Sequence, residues 1–223
     1  MAEIISGKIV SAQTREKIKA MVSEFETENK RKPCLAVVLV GNDPASEVYV
    51  RNKIKGTEEV GMKSLSFNMP ENSTNAEVEE VVKSLADDEN VDGILVQLPL
   101  PKHLDERKIL SLIPDTKDVD GFSPNNLGLL SIGTPRTVSC TPLGVMELIK
   151  STGIDLKGKN AVVIGRSNTV GKPMAMLLLN ENCTVTVCHS KTDNIAFYTK
   201  NADIVVVAVG RPFLRKIWSK MAP

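Results

Sequence analysis

Three short runs rich in β-branched residues limit the folds that this chain can adopt. They cover residues 35–40 (LAVVLV), 161–164 (AVVI) and 203–209 (DIVVVAV). Runs of this length are too short for helices, and their composition is typical of strands that are buried on both faces of a parallel sheet. Because helical patterns separate the runs, the sequence predicts an α/β fold.

One segment predicts a complete unit of that fold. A strand over 161–164 leads into a polar loop from Gly165 to Gly171, then an apolar helix opened by Pro173, and then a second strand over 183–188. Proline fits the first turn of a helix, where its missing N–H costs nothing. We expect this helix to point free N–H groups and its positive dipole end at the loop, an arrangement that suits a phosphate. The spacing G-x-S-x-x-x-G-x-P differs from the common dinucleotide motif, so a plain packing turn is the alternative.

The end of the second strand indicates which dinucleotide such a loop would bind. NAD sites usually place an Asp or Glu there for the ribose 2′-hydroxyl, whereas this chain has His189, Ser190 and Lys191. Arg166 and Lys191 can meet a 2′-phosphate instead, with Ser190 donating a hydrogen bond. The pattern therefore favours NADP, and the alternative is that both cations are solvated loop charges.

Composition argues against several classes of protein. The 223-residue chain has room for one or two domains, and its formal net charge of +1 gives no indication of a nucleic-acid or membrane partner. Its four cysteines form no C-x-x-C pair and no metal-ligand spacing, which is typical of reduced core cysteines. The sequence has no signal-peptide pattern and no window long enough to span a membrane. We expect a cytoplasmic protein.

Two polar features lie where predicted strands end. Tyr49 and Lys53 are four residues apart on a predicted helix over 45–60, so their side chains share one face. Gln97 interrupts the otherwise apolar run of a predicted strand over 91–98. Ligands of open parallel sheets bind beyond the carboxyl ends of the strands, which makes all three residues candidates for a site. The alternatives are an ordinary solvated Tyr–Lys pair and a glutamine satisfied by the backbone.

Periodicity and turn residues predict the remaining elements. Further helices are expected over 9–28, 75–85, 105–113 and 194–200, and a further strand over 63–68. Residues 125–135, rich in Asn, Gly, Ser and Pro, are expected to connect the two halves. Thr141 is expected to cap a helix that has Pro142 in its first position. The loop 117–121 (KDVDG) carries two carboxylates, but the other positions of a calcium loop are missing, so we expect no metal site.

Six short motifs occur in a fixed order along the chain. They are 46–53 (SEVYVRNK), 93–101 (GILVQLPLP), 117–121 (KDVDG), 140–142 (CTP), 165–173 (GRSNTVGKP) and 188–192 (CHSKT). Each motif alone is weak, but the ordered set is highly specific. Together they closely resemble the methylenetetrahydrofolate dehydrogenase/methenyltetrahydrofolate cyclohydrolase family, from near the N-terminus to about residue 212.

The resemblance implies an enzyme with two α/β domains. The first, over 1–139, would be the folate-binding catalytic domain, and the second, over 140–223, would be a Rossmann-like NADP-binding domain. Such an enzyme of one-carbon metabolism and purine biosynthesis oxidises 5,10-methylenetetrahydrofolate with NADP and hydrolyses the methenyl product to 10-formyltetrahydrofolate. Members of the family are commonly homodimers joined through the nucleotide domain.

The resemblance also implies a role for each candidate residue. Lys53 would be the catalytic lysine of the cyclohydrolase step, and Gln97 would hydrogen-bond to it. Tyr49 would stack along the folate, and Asp120 would anchor the pterin through its ring nitrogens. The cofactor would be held by residues of the glycine loop and of the next strand end, namely Gly165, Arg166, Ser167, Gly171 and Ser190.

The chain departs from the family pattern at its C-terminal end. Family chains continue for several dozen residues beyond the region around Lys220, so we expect an incomplete NADP-binding domain. One alternative function is therefore a truncated, catalytically weak or inactive protein that still binds NADP or folate. Another is an unrelated NADP dehydrogenase with a similar layout, such as a shikimate-type enzyme.

Overall fold

A computed structural model describes residues 3–210, and in it the chain forms two compact α/β units. One unit is Ser6–Ser123, and the described part of the other comprises residues 3–5 and 124–210. The predicted α/β class with two domains is confirmed. The predicted boundary between a folate-binding domain and an NADP-binding domain, at residues 139 and 140, stays a prediction. The expected end of the nucleotide domain near Lys220 lies outside the described residues.

The first unit is built on a three-stranded parallel sheet of order β2-β1-β3. In chain order its elements are α1 (Gly7–Asn29), β1 (Cys34–Val40), α2 (Pro44–Glu59), β2 (Lys63–Met69), α3 (Asn75–Asp87), β3 (Gly93–Val96) and α4 (Glu106–Leu110). The predicted elements are all present, with ends that differ by a few residues from the sequence pattern.

The second unit repeats this strand order in a parallel sheet of order β5-β4-β6. Its elements are α5 (Pro124–Ser131), α6 (Cys140–Lys150), β4 (Asn160–Ile164), α7 (Gly171–Asn180), β5 (Thr184–Cys188), α8 (Ile195–Lys200) and β6 (Ile204–Val207). Among the helices of residues 3–210, none combines the length and the apolar composition that a membrane span requires.

Both central strands are buried on their two faces, as their sequences predict. In β1, Val38 packs in a cluster with Val78 and Val82 of α3, whereas Val37 on the opposite face packs with Val50 of α2. Val37 and Val38 are both 0% exposed. Burying one such side chain contributes roughly 1.5–3 kcal/mol relative to leaving it in water, so the two helices are tied to the sheet by the strand between them.

The central strand β4 is covered in the same way. Val163 lies in a cluster with Met174 and Leu178 of α7, and Ile164 lies in a separate cluster with Cys188. In both units the chain runs from the central strand to the neighbouring strand on one side, and then crosses over to the neighbouring strand on the other side. A crevice therefore opens at the carboxyl ends of β1 and β4, where ligands of such sheets bind.

Two local predictions for the second unit are wrong. The expected connection over 125–135 begins as a helix, α5. Leu130 of this helix is buried, and its backbone carbonyl accepts a hydrogen bond from Asn180 Nδ2 of α7 (3.1 Å). Packing on α7 thus overrides the turn-like composition. Thr141 is not the N-cap, because α6 begins at Cys140 after Ser139. Ser139 Oγ donates to the carbonyl of Thr169 instead (2.7 Å).

Lys117 joins the loop after α4 to the end of α3. Its ammonium group donates to the carbonyls of Leu85 (3.3 Å), Ala86 (2.7 Å) and Asp88 (2.8 Å). The last carbonyls of a helix have no partner within the helix, and a cation there also suits the dipole. The carbonyl of Lys117 in turn accepts from the amide of Ile94 in β3 (2.8 Å). The side chain and the backbone of one residue therefore fix the loop 117–121.

We predict that Lys117→Met lowers the free energy of unfolding by about 2 kcal/mol, the typical contribution of hydrogen bonds to a charged group. Urea denaturation followed by circular dichroism measures this. Lys102→Met is the matched control because Lys102 is exposed, and surface changes of this kind usually stay within about 0.5 kcal/mol. Equal loss of stability in the two variants would contradict the role given to Lys117.

Candidate functional site

The N-terminal turns of α2 place Tyr49 and Lys53 beyond the carboxyl end of β1. The helix begins directly after that strand because Pro44 occupies its first turn and Asp43 caps it, accepting from the amide of Ser46 (2.8 Å). This hydrogen bond holds the pKa of Asp43 below its usual range. Tyr49 is 62% exposed, and Lys53, one turn further, is half-buried. The cap thus sets the start of the helix and with it the position of both side chains.

Gln97 follows β3 and faces Lys53. Its backbone amide continues the sheet by donating to the carbonyl of Val38 (2.8 Å). Its side-chain Nε2 donates to the carbonyl of Leu98 (2.6 Å), which leaves Oε1 to accept from Lys53 Nζ (3.1 Å). Both ends of the amide are therefore fixed, and the contact with Lys53 is the one that the family resemblance implied.

Asp120 lies close enough to Lys53 for the two charges to interact. Burial raises the pKa of the Asp120 carboxyl, the Lys53 charge lowers it, and the Asp118 charge raises it further. Asp118 is buried and its Oδ2 accepts from the amide of Ser123 (2.8 Å), so it holds the loop in place. The balance leaves Asp120 with a raised pKa, which means that its ionised form is poorly compensated in the isolated protein.

Tyr49, Lys53, Gln97 and Asp120 all belong to the unit Ser6–Ser123, and their chemistry is complementary. An amine at Lys53 can move protons, and the Gln97 amide fixes where that amine lies. A carboxylate at Asp120 can accept hydrogen bonds from a ligand with N–H groups, and the exposed ring of Tyr49 offers a stacking surface. The arrangement is suited to a flat, nitrogen-rich ligand with a reacting atom near the lysine.

In the second unit, two glycines draw the loop 165–171 against the strand ends. Gly165 has a φ of +124°, and a Cβ built there would lie 2.6 Å from the carbonyl oxygen of Ala208. A Cβ on Gly171 would overlap the carbonyl of Gly165. A side chain at either position would push the loop outward. Because neither glycine has a side chain, the loop packs directly against the backbone at the ends of β4 and β6.

The start of α7 differs from the prediction of free N–H groups. The amides of Val170 and Gly171 donate to Ser167 Oγ (3.1 and 3.2 Å), and the amide of Lys172 donates to the Ser167 carbonyl (3.0 Å). Ser167 therefore already binds two amides at the start of the helix, and a ligand would have to displace it to bind them. Its hydroxyl hydrogen remains a possible donor, and both Ser167 and the neighbouring Arg166 are exposed.

The residues predicted to bind phosphate follow the ends of two adjacent strands. The last residues of β4 and β5, Ile164 and Cys188, are paired, and the amide of Gly165 donates to the Cys188 carbonyl (2.8 Å). Arg166 and Ser190 follow those two residues within a short distance along the chain, and both are exposed. A tight glycine turn, two hydroxyls and a guanidinium beside it fit the phosphates of NADP.

The cysteines and carboxylates offer little further chemistry. Burial raises the pKa of the thiols of Cys34, Cys183 and Cys188, which keeps them protonated and unreactive. Across residues 3–210, no group of three or more His, Cys, Asp or Glu side chains is arranged to hold a metal ion.

Some residues that hold the loops of the candidate sites had no individual signal in the sequence. Lys117, His189 and Thr192 lie inside the motifs KDVDG and CHSKT, but nothing in their residue types indicated which backbone groups they bind. Ser139 likewise became visible only through its contact with the loop.

Comparison with known proteins is consistent across the chain. Residues 5–120 match the family model described as tetrahydrofolate dehydrogenase/cyclohydrolase, catalytic domain. Residues 139–220 match the model for the NAD(P)-binding domain of the same enzymes.

Curated relatives cover nearly the whole chain. A bifunctional protein FolD from Agathobacter rectalis is 51% identical over 212 residues, which is 95% of this chain and 76% of that protein. A bifunctional protein FolD from Erythrobacter litoralis is 56% identical over 210 residues, which is 94% of this chain and 70% of that protein.

Solved structures show the same similarity. The bifunctional FolD methylenetetrahydrofolate dehydrogenase/cyclohydrolase from Campylobacter jejuni superposes with a TM-score of 0.89 at 48% identity, over 93% of this chain and 74% of that one. The Trypanosoma brucei enzyme, complexed with NADP cofactor and inhibitor, superposes with a TM-score of 0.90 at 39% identity, over 96% of this chain and 73% of that one.

We predict that Asp120→Asn raises the free energy of unfolding at pH 7. Because the folded-state pKa of Asp120 is raised, the native protein binds this proton more tightly than the unfolded chain does. The parent therefore loses stability from this group as pH rises through the window above its ordinary pKa of about 3.9, and the Asn variant does not.

Urea denaturation of both proteins between pH 7 and pH 4.5 tests this, and the difference should shrink as pH falls. Other carboxylates titrate in both proteins, so their effects cancel. Asp193→Asn, at an exposed position in the other unit, is the control and should show no such trend. A stability difference that stays constant with pH would show that burial of Asp120 is not the cause.

Proposed function

The chain belongs to the tetrahydrofolate dehydrogenase/cyclohydrolase family, and from this premise we propose that Lys53, Gln97 and Asp120 carry its folate chemistry. The enzyme oxidises 5,10-methylenetetrahydrofolate to 5,10-methenyltetrahydrofolate with NADP, and it hydrolyses that product to 10-formyltetrahydrofolate. The observation that carries the assignment of residues is the hydrogen bond from Lys53 Nζ to Gln97 Oε1, with the carboxyl of Asp120 within electrostatic reach.

In the hydrolysis, we assign proton movement to Lys53. The attacking water loses one proton as its oxygen bonds to the methenyl carbon, and the hydroxyl so formed loses its second proton as it becomes the formyl carbonyl. The ring nitrogen gains one of these protons as its bond to that carbon breaks, and the other is released to solvent. A single amine beside the reacting carbon can accept and donate these protons in turn. Gln97 acts on the amine, because its fixed Oε1 accepts one of the lysine hydrogens and thereby sets the direction of the other positions on Nζ.

Asp120 and Tyr49 are assigned to substrate binding. A pterin ring presents N–H groups along one edge, and the Asp120 carboxylate accepts from such an edge. Those hydrogen bonds offset the burial that raises its pKa in the isolated protein. The exposed ring of Tyr49, on the same helix face as Lys53, provides the stacking surface.

The oxidation needs positioning more than acid–base chemistry. NADP supplies the acceptor for the hydride that leaves the methylene carbon. The chain contributes the site for its phosphates, which we propose to consist of Gly165, Arg166, Ser167, Gly171 and Ser190. On this proposal residues 140–223 form the NADP-binding domain and residues 1–139 form the folate-binding domain.

We predict that Lys53→Met lowers the rate of methenyltetrahydrofolate hydrolysis by at least about 100-fold, because the loss of a positioned acid–base group typically costs 10²–10⁴. Loss of the 10-formyl product signal in a spectrophotometric assay measures this. The urea denaturation midpoint followed by circular dichroism should be unchanged, which shows that the unit containing Lys53 is folded. The control is Lys55→Met, on the same helix, whose ammonium is exposed beside Glu59. Full hydrolysis by the Lys53 variant would exclude the assignment.

We further propose a cytoplasmic homodimer joined through the nucleotide-binding unit. None of the four cysteines, all within residues 3–210, forms a disulfide, which fits a reducing compartment. Within the described residues β5 forms one edge of its sheet, carries no charge and exposes Val187, and unprotected edges of this kind invite pairing.

Sedimentation equilibrium should give twice the chain mass, and Val187→Lys should shift the measured mass toward that of the monomer. A monomeric parent protein at micromolar concentration would refute the dimer.

A further inference from the structure

We propose that His189 and Thr192 are positioning residues that set the preference for NADP over NAD. They lock the turn that presents Ser190 and Lys191, and these two residues are suited to the ribose 2′-phosphate, the one group by which the two cofactors differ. The inference rests on the proposed NADP site and adds the two side chains that hold it.

Three hydrogen bonds close the turn 189–192. The amide of Thr192 donates to the carbonyl of His189 (2.8 Å), which is the bond of a β-turn. The amide of His189 donates to Thr192 Oγ1 (2.9 Å), and the amide of Lys191 donates to His189 Nδ1 (3.1 Å). Two of the three bonds therefore depend on side chains, one at each end of the turn.

The bond to Nδ1 determines the chemical form of His189. A ring nitrogen that accepts a hydrogen bond carries no proton, so this bond requires the tautomer with the ring hydrogen on Nε2. The acceptor stands on Cγ and binds the amide two residues on, which is the geometry by which Asn and Asp side chains stabilise turns. His189 Nδ1 therefore accepts the hydrogen bond that the side-chain oxygen of an asparagine would accept, and Asn is the conservative replacement.

The locked turn exposes the residues between its ends. His189 and Thr192 are half-buried, whereas Ser190 and Lys191 at the two central positions are exposed. The turn starts from Cys188, which is 0% exposed and tied to Gly165 by a backbone hydrogen bond (2.8 Å). Its base is therefore fixed to the glycine loop, and only the hydroxyl and the ammonium extend outward.

Locking the turn affects the two cofactors unequally. A mobile turn would have to be ordered when Ser190 and Lys191 engage a phosphate, and that ordering reduces affinity. NAD has a hydroxyl in place of the 2′-phosphate and makes no such use of the turn. Loosening the turn should therefore weaken NADP and leave NAD nearly unchanged, whereas a general defect of the nucleotide unit would weaken both.

Two pairs of variants test the lock. Thr192→Val and His189→Leu each remove one acceptor, while Thr192→Ser and His189→Asn keep it. The ratio of kcat/KM for NADP to that for NAD should fall about fivefold or more in the first pair, the effect of one lost hydrogen bond. The change should lie in KM for NADP. The second pair should stay within about twofold of the parent, since the acceptor is retained.

A binding measurement makes the test independent of turnover. Calorimetry with adenosine 2′,5′-bisphosphate and with adenosine 5′-monophosphate compares ligands with and without the 2′-phosphate. Thr192→Val and His189→Leu should weaken the first ligand by the same factor as NADP and leave the second unchanged. Equal weakening of both ligands, or an unchanged ratio, would overturn the inference.

The outcome for the parent protein separates the two levels of the argument. If the parent prefers NADP and the variants Thr192→Val and His189→Leu keep that preference, the role of the turn is overturned, but the proposed NADP site is not. A parent that binds the two adenosine ligands equally overturns the 2′-phosphate site and this inference with it.

Discussion

Both sheets depend on a central strand that is buried on each of its faces, β1 in one unit and β4 in the other. Both faces of such a strand need helices to cover them, and its neighbours here are parallel, which requires crossover connections. Among the described residues, the carboxyl ends of the strands in each sheet therefore meet at one edge. Because the chain leaves the central strand first to one side and then to the other, that edge opens into a crevice. Lys53 and Gln97 lie just beyond this edge of the first sheet, and Ser167 and Ser190 lie just beyond the corresponding edge of the second sheet.

The residues at this edge are held by hydrogen bonds between side chains and backbone. Gln97 binds the carbonyl of Leu98, Ser167 binds the amides that begin α7, and Thr192 binds the amide of His189. Loops that leave strand ends would otherwise move freely, and each bond reduces the freedom that must be lost when a ligand binds. Polar residues in these loops thus serve two purposes, since some contact the ligand and others hold the contacting residues in place.

The unit Ser6–Ser123 combines stabilising and destabilising electrostatics in one loop. Lys117 satisfies the carbonyl end of α3, and Asp118 accepts from the amide of Ser123, so both stabilise the loop. Asp120, which follows these two residues in the same loop, is half-buried with a raised pKa. A site that binds a polar ligand usually contains groups that are poorly satisfied without it, and neighbouring residues must compensate. The loop 117–121 shows both parts of that balance within five residues.

The sequence by itself determined the strands, most helices, the glycine loop and the shared helix face of Tyr49 and Lys53, because each depends on residues close together in the chain. The ordered motifs further predicted which residues to compare. The family resemblance also implied that Gln97 hydrogen-bonds to Lys53, 44 positions away in sequence. Only the tertiary structure decided that residues 124–131 form a helix and that Ser167 binds the amides at the start of α7. It also decided that burial dominates at Asp120. Local periodicity records propensity and burial, whereas the partner of a polar side chain is chosen by the packing that brings distant segments together.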